Sequence, residues 1–414
     1  MNRRTFLRGA AALPAVAAAA RLARAAPPWL TRPRHHVVTI VLCGGYDTVM
    51  SVDPKAGDDA RDIDPGYRAD ELVLGSRRRY GPLFAPLLAH EDRWTLVHGV
   101  RTDTAAHEDG LHKLFHGRAL YGPTTPAVGD LLGAVLPGFA PIEHLIVAGT
   151  ALPTSTRGPS TRAVGVGPEI TAAIADDSFR RPFDPDPVLE RARLDDAARA
   201  FAHDPAAAAE ATRHLRQSYA LRRLLADAPS QSPFTDEELG HRLAFALHAL
   251  RRDAARAITI LVRPQWLDSH ADHVRFQRQR LGPIFTDVAR FVDALAASPL
   301  PGGGTLLDAT TIAIGSELGR FPRLNAVAGK DHWPESSWLL LGKGLRRAPG
   351  GVTLGATDAS FRGRRVDFAT GALDGPDARP IFVDSIFATL FACVGADPTR
   401  AGYRREEVLA HLLA

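Results

Sequence analysis

A chain of 414 residues with 45% apolar and 23% charged residues is long enough to bury a large core and too hydrophobic to be disordered over most of its length. Its formal charge of +4 and isoelectric point near 9.3 invite a nucleic-acid partner, yet Arg3, Arg4, Arg8, Arg21 and Arg24 lie within a first 25 residues that hold no acid. Without those five charges the +4 becomes −1, which leaves no electrostatic footprint for nucleic acid.

The N-terminus, MNRRTFLRGAAALPAVAAAARLARAA, joins paired arginines to a Phe-Leu pair, an Ala-rich stretch and a small-x-small site at Ala23-Arg24-Ala25. Residues 1–25 resemble a twin-arginine signal peptide, which predicts recognition by the twin-arginine export machinery and a mature chain, residues 26–414, in the periplasm or outside the cell. Beyond Leu30 no apolar run approaches the roughly 20 residues of a transmembrane helix. Cys43 ends an apolar run and Cys393 lies in FATLFACVGA, so both are expected to be buried as small hydrophobes, without a disulfide or a cysteine metal site.

Along the mature chain, HHVVTIVLCGG, RWTLVHGV, IEHLIVAGT, ARAITILVRP, ATTIAIGS and SSWLLLGKG read as six strands, each short, β-branched or Leu-rich and bounded by Gly, Pro or polar residues. Between them GPLFAPLLAHE, HEDGLHKLFHGRAL, VGDLLGAVL, the Ala/Arg/Leu region from Asp186 to Arg256 and GPIFTDVARFVDALAAS read as helices, and a C-terminal amphipathic helix closes the chain. Continuously apolar strands separated by helices predict an α/β fold, a three-layer α/β/α sandwich around a mainly parallel sheet. Residues 152–256 are expected to form a largely helical insertion within this one domain, with no strand between Pro153 and Pro233.

In such a sheet, ligands collect at the carboxyl ends of the strands. Asp47 follows the first run; Thr102, Thr104, His107 and Asp109 follow the second. Asp268, His270, Asp272 and His273 follow the fourth, and Glu317, Asp331 and His332 follow the fifth. Carboxylates neutralise a cation while neutral imidazoles supply nitrogen donors, so the set suits one or two divalent ions, Zn, Mn, Ca or Mg. The loop SELGRFPRLNAVAGKDHWP after TTIAIG reads as a device for returning two ligands to one strand end.

The segments GGYDTVMSVDP, HEDGLHKLFHG, WLDSHADH, SELGRFPRLN, AGKDHWP and a late LGATD stand in the order shown by a widespread family of twin-arginine-exported bacterial proteins of unknown function, which the chain resembles over roughly residues 35 to 400. That family is similar to the alkaline phosphatase and sulfatase superfamily. The resemblance implies an early strand-end aspartate, a Ser, Thr or modified Cys nucleophile after the next strand, and later Asp and His metal ligands. On it, Asp47 takes the place of the early metal aspartate, and Asp268 with His270 or His273 that of the mid-chain ligands. Glu317 stands where the superfamily has the aspartate of Ser-Asp-His, and His332 stands for the late histidine, preceded by Asp331.

Two departures bear on this. Leu318 occupies the place of the histidine in Ser-Asp-His, and the turn Trp266-Leu267-Asp268-Ser269-His270 is one residue longer than the family's Trp-Asp-Thr-His. No Cys-x-Pro-x-Arg is present, which disfavours a formylglycine sulfatase; Thr102 and Thr104 remain as nucleophile candidates, with His107 beside them. The expected function is an exported, metal-dependent hydrolase of a small-molecule or glycan phosphate or sulfate ester. The alternative is a non-catalytic exported protein that keeps the site to bind an envelope partner or glycan. Leu318 and the lack of a clear nucleophile favour the alternative; the acids and histidines favour the enzyme.

Overall fold

The six apolar runs become the central strands of one sheet. The structure is a computed structural model that describes residues 34–56, 62–117, 126–136, 140–148, 163–166, 187–228 and 232–414; the signal-like residues 1–25 lie outside these. In chain order the strands are β1 (His36–Val41), a hairpin of β2 (Val73–Leu74) and β3 (Arg79–Tyr80), β4 (Thr95–Arg101), β5 (Ile142–Val147), β6 (Ala163–Val166), β7 (Ala255–Leu261), β8 (Thr310–Gly315), β9 (Gly319–Arg320), β10 (His332–Trp333), β11 (Glu335–Gly342), β12 (Val352–Leu354) and β13 (Ile381–Phe382). The helices are α1 (His107–His116), α2 (Val128–Val135), α3 (Pro187–Ala200), α4 (Pro205–Ala226), α5 (Gly240–Arg251), α6 (His273–Ala296) and α7 (Val383–Cys393).

Nine strands form the main sheet in the order β12-β4-β11-β8-β1-β7-β5-β6, with β13 also paired to β4. Every pairing is parallel except those of β11, which runs against both β4 and β8. Successive residues of a strand point to opposite faces. Because all of β8 and β11 is buried, both faces of the sheet are covered, as a mainly parallel sheet requires. Helices α2 and α5 pack against β7, α5 packs against α6, and α7 lies by β13. Trp338, Phe285, Phe291 and Phe387 are among the large side chains buried between these layers. Cys43 and Cys393 are free thiols buried in the same core, and burial pushes the Cys393 thiol up to about 12. No helix of the described residues is long and apolar enough to cross a membrane.

Three elements depart from the sequence reading. GPLFAPLLAHE forms 3-10 turns over Pro82–Arg93, kinked at His90 (φ −110°, ψ 17°), with Pro86, which has no N–H to donate, inside the segment. Helix α6 begins at His273, nine residues before the expected start, with Pro283 carried inside it. Finally, β6 lies in a stretch read as strandless; at four residues and on the sheet edge it is too short to leave a period. The described residues of the expected helical insertion then form α3, α4 and α5, and Asp204 caps α4 by accepting from the N–H groups of Ala206 and Ala207.

Candidate metal centre

Parallel strands place their carboxyl ends on one edge, so Val41, Arg101, Leu261 and Gly315 finish together. The antiparallel β11 starts at that edge. The chain between β8 and β11 must therefore leave the edge and come back to it. It does so as a small ladder in which His332 lies opposite Arg320 and Trp333 opposite Gly319.

Three side chains from three of these connections meet there. One ligating atom each from His107, Asp268 and His332 lie within 4.8 Å of one another. His107 Nε2 is 3.3 Å from Asp268 Oδ2, and His332 Nε2 is 3.4 Å from Asp268 Oδ1. His270 stands on the solvent side, half exposed, with Nε2 3.1 Å from Asp268 Oδ1 and 3.0 Å from His332 Nε2.

The other nitrogen of each ring is held by an acceptor. His107 Nδ1 is 2.7 Å from Glu317 Oε1, His332 Nδ1 is 2.6 Å from the Ala105 carbonyl, and His270 Nδ1 is 3.0 Å from Asp331 Oδ1. Carboxylates and carbonyls only accept, so each Nδ1 carries a proton and each ring turns its Nε2 toward Asp268. His107 Nε2 is buried and makes no hydrogen bond, its approach to Asp268 lacking the geometry. Ligand bonds of about 2.0–2.1 Å place tetrahedral donors about 3.3–3.4 Å apart. His107 faces Oδ2 and His332 faces Oδ1 at about that separation, so His107, Asp268 and His332 are the residues that could hold a divalent ion between them.

The surroundings hold these groups from below. Glu317 is fully buried and also accepts from the Gly44 N–H at 2.6 Å, while Ser316 Oγ lies 2.7 Å from its second oxygen. Gly44 adopts φ +105°, and a Cβ there would come within 2.6 Å of Leu267 N and Asp268 N, so only glycine lets the end of β1 lie this close to the Asp268 turn. Arg320, 3% exposed, donates through Nη2 to Asp268 at 2.6 Å and through its other nitrogens to the carbonyls of Gly45 and Lys330 at 3.1 and 3.0 Å.

Burial lowers His107, but Asp268 and Glu317 outweigh it and raise the ring to about 9. Burial pushes Asp268 up, and His107 with Arg320 hold it well below the usual carboxylate range. His332 is lowered, chiefly by burial. His270 keeps Asp331 below its usual range.

Other residues picked out in the sequence stand apart from this group. Thr102 is buried, its hydroxyl 2.9 Å from both the Thr104 and Pro334 carbonyls, so it anchors β4 to the start of β11 instead of facing the centre. Thr104 Oγ1 accepts from the Ala106 N–H at 3.0 Å and shapes the turn into α1. Neither hydroxyl is activated by a base. Asp47 and His273 do not fit a metal: Asp47 Oδ2 accepts from Lys330 Nζ at 2.8 Å and lies 2.5 Å from His273 Nε2, while Oδ1 accepts from the Met50 N–H at 3.0 Å. His273 Nδ1 in turn meets Ser269 Oγ at 2.7 Å.

Arg320 and Lys330 escaped the sequence reading. The signal was present: three basic residues, Arg320, Arg323 and Lys330, stand in the loop that also supplies Glu317, Asp331 and His332, and a buried carboxylate needs a counter-charge.

No curated protein matches the sequence significantly. Among solved structures, the chain is similar to a protein in the alkaline phosphatase superfamily from Vibrio parahaemolyticus (10% identity, 91% of this chain and 69% of that one, TM-score 0.40). It is similar to BT1596, a 2-O GAG sulfatase (8% identity, 90% and 75%, TM-score 0.39), and to the C-terminal periplasmic domain of EcEptC from Escherichia coli (10% identity, 92% and 91%, TM-score 0.40). Nothing about activity follows from likenesses at these scores. A family model described as "Protein of unknown function (DUF1501)" matches residues 154–412, a span that holds Asp268, His270, Glu317, Asp331 and His332, and the chain belongs to that family.

Proposed function

We propose that the protein is an exported, metal-dependent hydrolase of phosphate or sulfate esters, built on an alkaline-phosphatase-like sandwich. The observation that supports this most is the convergence of imidazole Nε2 atoms on Asp268, with Glu317, the Ala105 carbonyl and Asp331 holding the opposite ring nitrogens. Imidazole-rich donor sets suit Zn2+ better than Mn2+, Ca2+ or Mg2+. A divalent ion at His107, Asp268 and His332 supplies Lewis-acid polarisation of an ester oxygen.

The chain's own residues supply the rest. Glu317 and the Ala105 carbonyl fix the tautomers and orientations of His107 and His332. His270, at the open side, would pass a proton from Nε2 to the leaving-group oxygen as water attacks the phosphorus or sulfur, the ring regaining a proton from that water; Asp331 and Asp268, 3.0 and 3.1 Å from its two nitrogens, orient the ring. The substrate would be a small-molecule or glycan ester that reaches this open side. The buried state of Thr102 favours the second reading, a non-catalytic binder of an envelope partner or glycan, because its hydroxyl is taken up by two backbone carbonyls.

The test is made on purified mature chain loaded with Zn2+ or Mn2+ and offered a panel of aryl and alkyl phosphate and sulfate esters. Turnover is expected, with loss on chelation. His270→Ala should keep its ion and lose about 100-fold in turnover, most for poor leaving groups. A metal-loaded protein that cleaves no ester, while Asp268→Asn loses binding to envelope glycan, sinks the hydrolase reading. Export is read separately. A precursor with Arg3 and Arg4 both replaced by Lys should accumulate in the cytoplasm, and normal export of that variant overturns the twin-arginine assignment.

A further inference from the structure

The buried network beneath the centre has a cation of its own. Asp47 is 1% exposed, and Lys330 and His273 are fully buried. Lys330 Nζ lies 2.8 Å from Asp47 Oδ2, His273 Nε2 shares that oxygen, and the Met50 N–H takes the other. Burial opposes the charge on Asp47, yet Lys330 and His273 hold the carboxyl well below the usual range.

Lys330 is also fastened by its backbone. Its N–H donates to the Ser269 carbonyl at 3.0 Å, and its carbonyl accepts from Arg320 Nη1 at 3.0 Å. Arg320 thereby ties this network to Asp268, the carboxylate of the metal centre. The ammonium cannot withdraw from Asp47 without dragging a loop segment that is hydrogen-bonded on both sides.

We infer that the Lys330 ammonium is the counter-ion of Asp47 and stands where a second metal ion would have to be bound, so the described residues take one divalent ion and not two. Both oxygens of Asp47 are already used, and a dication at Oδ2 would face a like charge about 3 Å away in a dry interior, where repulsion is strongest. His273, the nearest nitrogen donor, already spends Nε2 on Asp47 and Nδ1 on Ser269. The inference rests on the proposed centre only for where the one ion goes, not for why Asp47 takes none.

The experiment counts ions. Wild type and an Asp47→Asn/Lys330→Met double variant are dialysed against excess Zn2+, and bound zinc per chain is measured by elemental analysis. Asn keeps an acceptor for the Met50 N–H and Met keeps the length of the lysine, so the pair is removed without an orphan charge. The expected count is one in both proteins. Two in wild type and one in the double variant overturns the inference. Zero in both removes the centre of the preceding section but supports an Asp47 that holds no ion. Denaturant unfolding supplies the second reading: Lys330→Met alone should lower the folding equilibrium constant by about 100-fold or more, and the double variant should regain most of it. A double variant no more stable than the single one shows that Lys330 does not neutralise Asp47, and the inference fails.

Discussion

Asp268→Asn should weaken Zn2+ binding by more than about 100-fold and bring ester turnover down to the uncatalysed background. Asp268 lies within 3.4 Å of the Nε2 atoms of His107, His270 and His332, so this single change removes the carboxylate that all three rings face. The substitution is chosen to spare the fold. Asn keeps an oxygen for Arg320, whose Nη2 donates to Asp268 at 2.6 Å, whereas Ala would take that acceptor from a buried guanidinium. Glu317→Gln gives the scale for comparison. It leaves acceptors for Gly44 and His107 but removes the carboxylate that raises the basicity of His107, a loss typical of outer partners at about 10–100-fold in affinity. Titration calorimetry on the two variants and the wild type checks the order. Zn2+ affinity within threefold of wild type in Asp268→Asn would show that the ion, if any, sits elsewhere.

Gly329→Ala should be nearly as damaging, although residue 329 touches no ligand. A Cβ on Gly329 would lie 1.8 Å from the His270 carbonyl oxygen and 1.9 Å from its carbon, both backbone atoms that cannot swing aside. The two segments run side by side here: Lys330 N donates to Ser269 O at 3.0 Å and His273 N to Ala328 O at 2.8 Å. One segment carries Asp268 and His270, the other Asp331 and His332. Pushing them apart by about 1 Å breaks the convergence that defines the centre, and misplacement on that scale costs about 100-fold in rate. Overpacking of this kind also costs about 1–3 kcal/mol of stability. Gly302→Ala is the matched control, since nothing lies within 4 Å of its Cβ and it should behave as wild type. Turnover and melting temperature of the two glycine variants are measured side by side; equal behaviour removes the close approach from the account.

The six central strands were legible because each is a run of apolar residues buried on both faces, a signal that needs no partner to be seen. The edge pieces β6, β12 and β13, four, three and two residues long, were not, since runs that short hold no period and pair only because a longer strand is already in place. The same division runs through the centre. That Asp268, His270, Glu317, Asp331 and His332 come to one edge follows from parallel strands ending together and from β11 starting where β8 stops.

By itself, then, the sequence determined the periodicity of the core strands, the edge at which the acids and histidines gather, and the loop that returns Asp331 and His332 to the end of β8. Only the tertiary structure decided which of those groups hold one another. Thr102 is spent on the Pro334 carbonyl, and Asp47 is claimed by Lys330 from 283 residues away, while His107 gains Glu317 from 210 residues away and keeps its Nε2 free. The physical reason is that strand and helix patterns come from residues a few positions apart, whereas a buried charge takes whichever counter-charge the fold sets within about 3 Å, and that distance exists only once the sheet has formed.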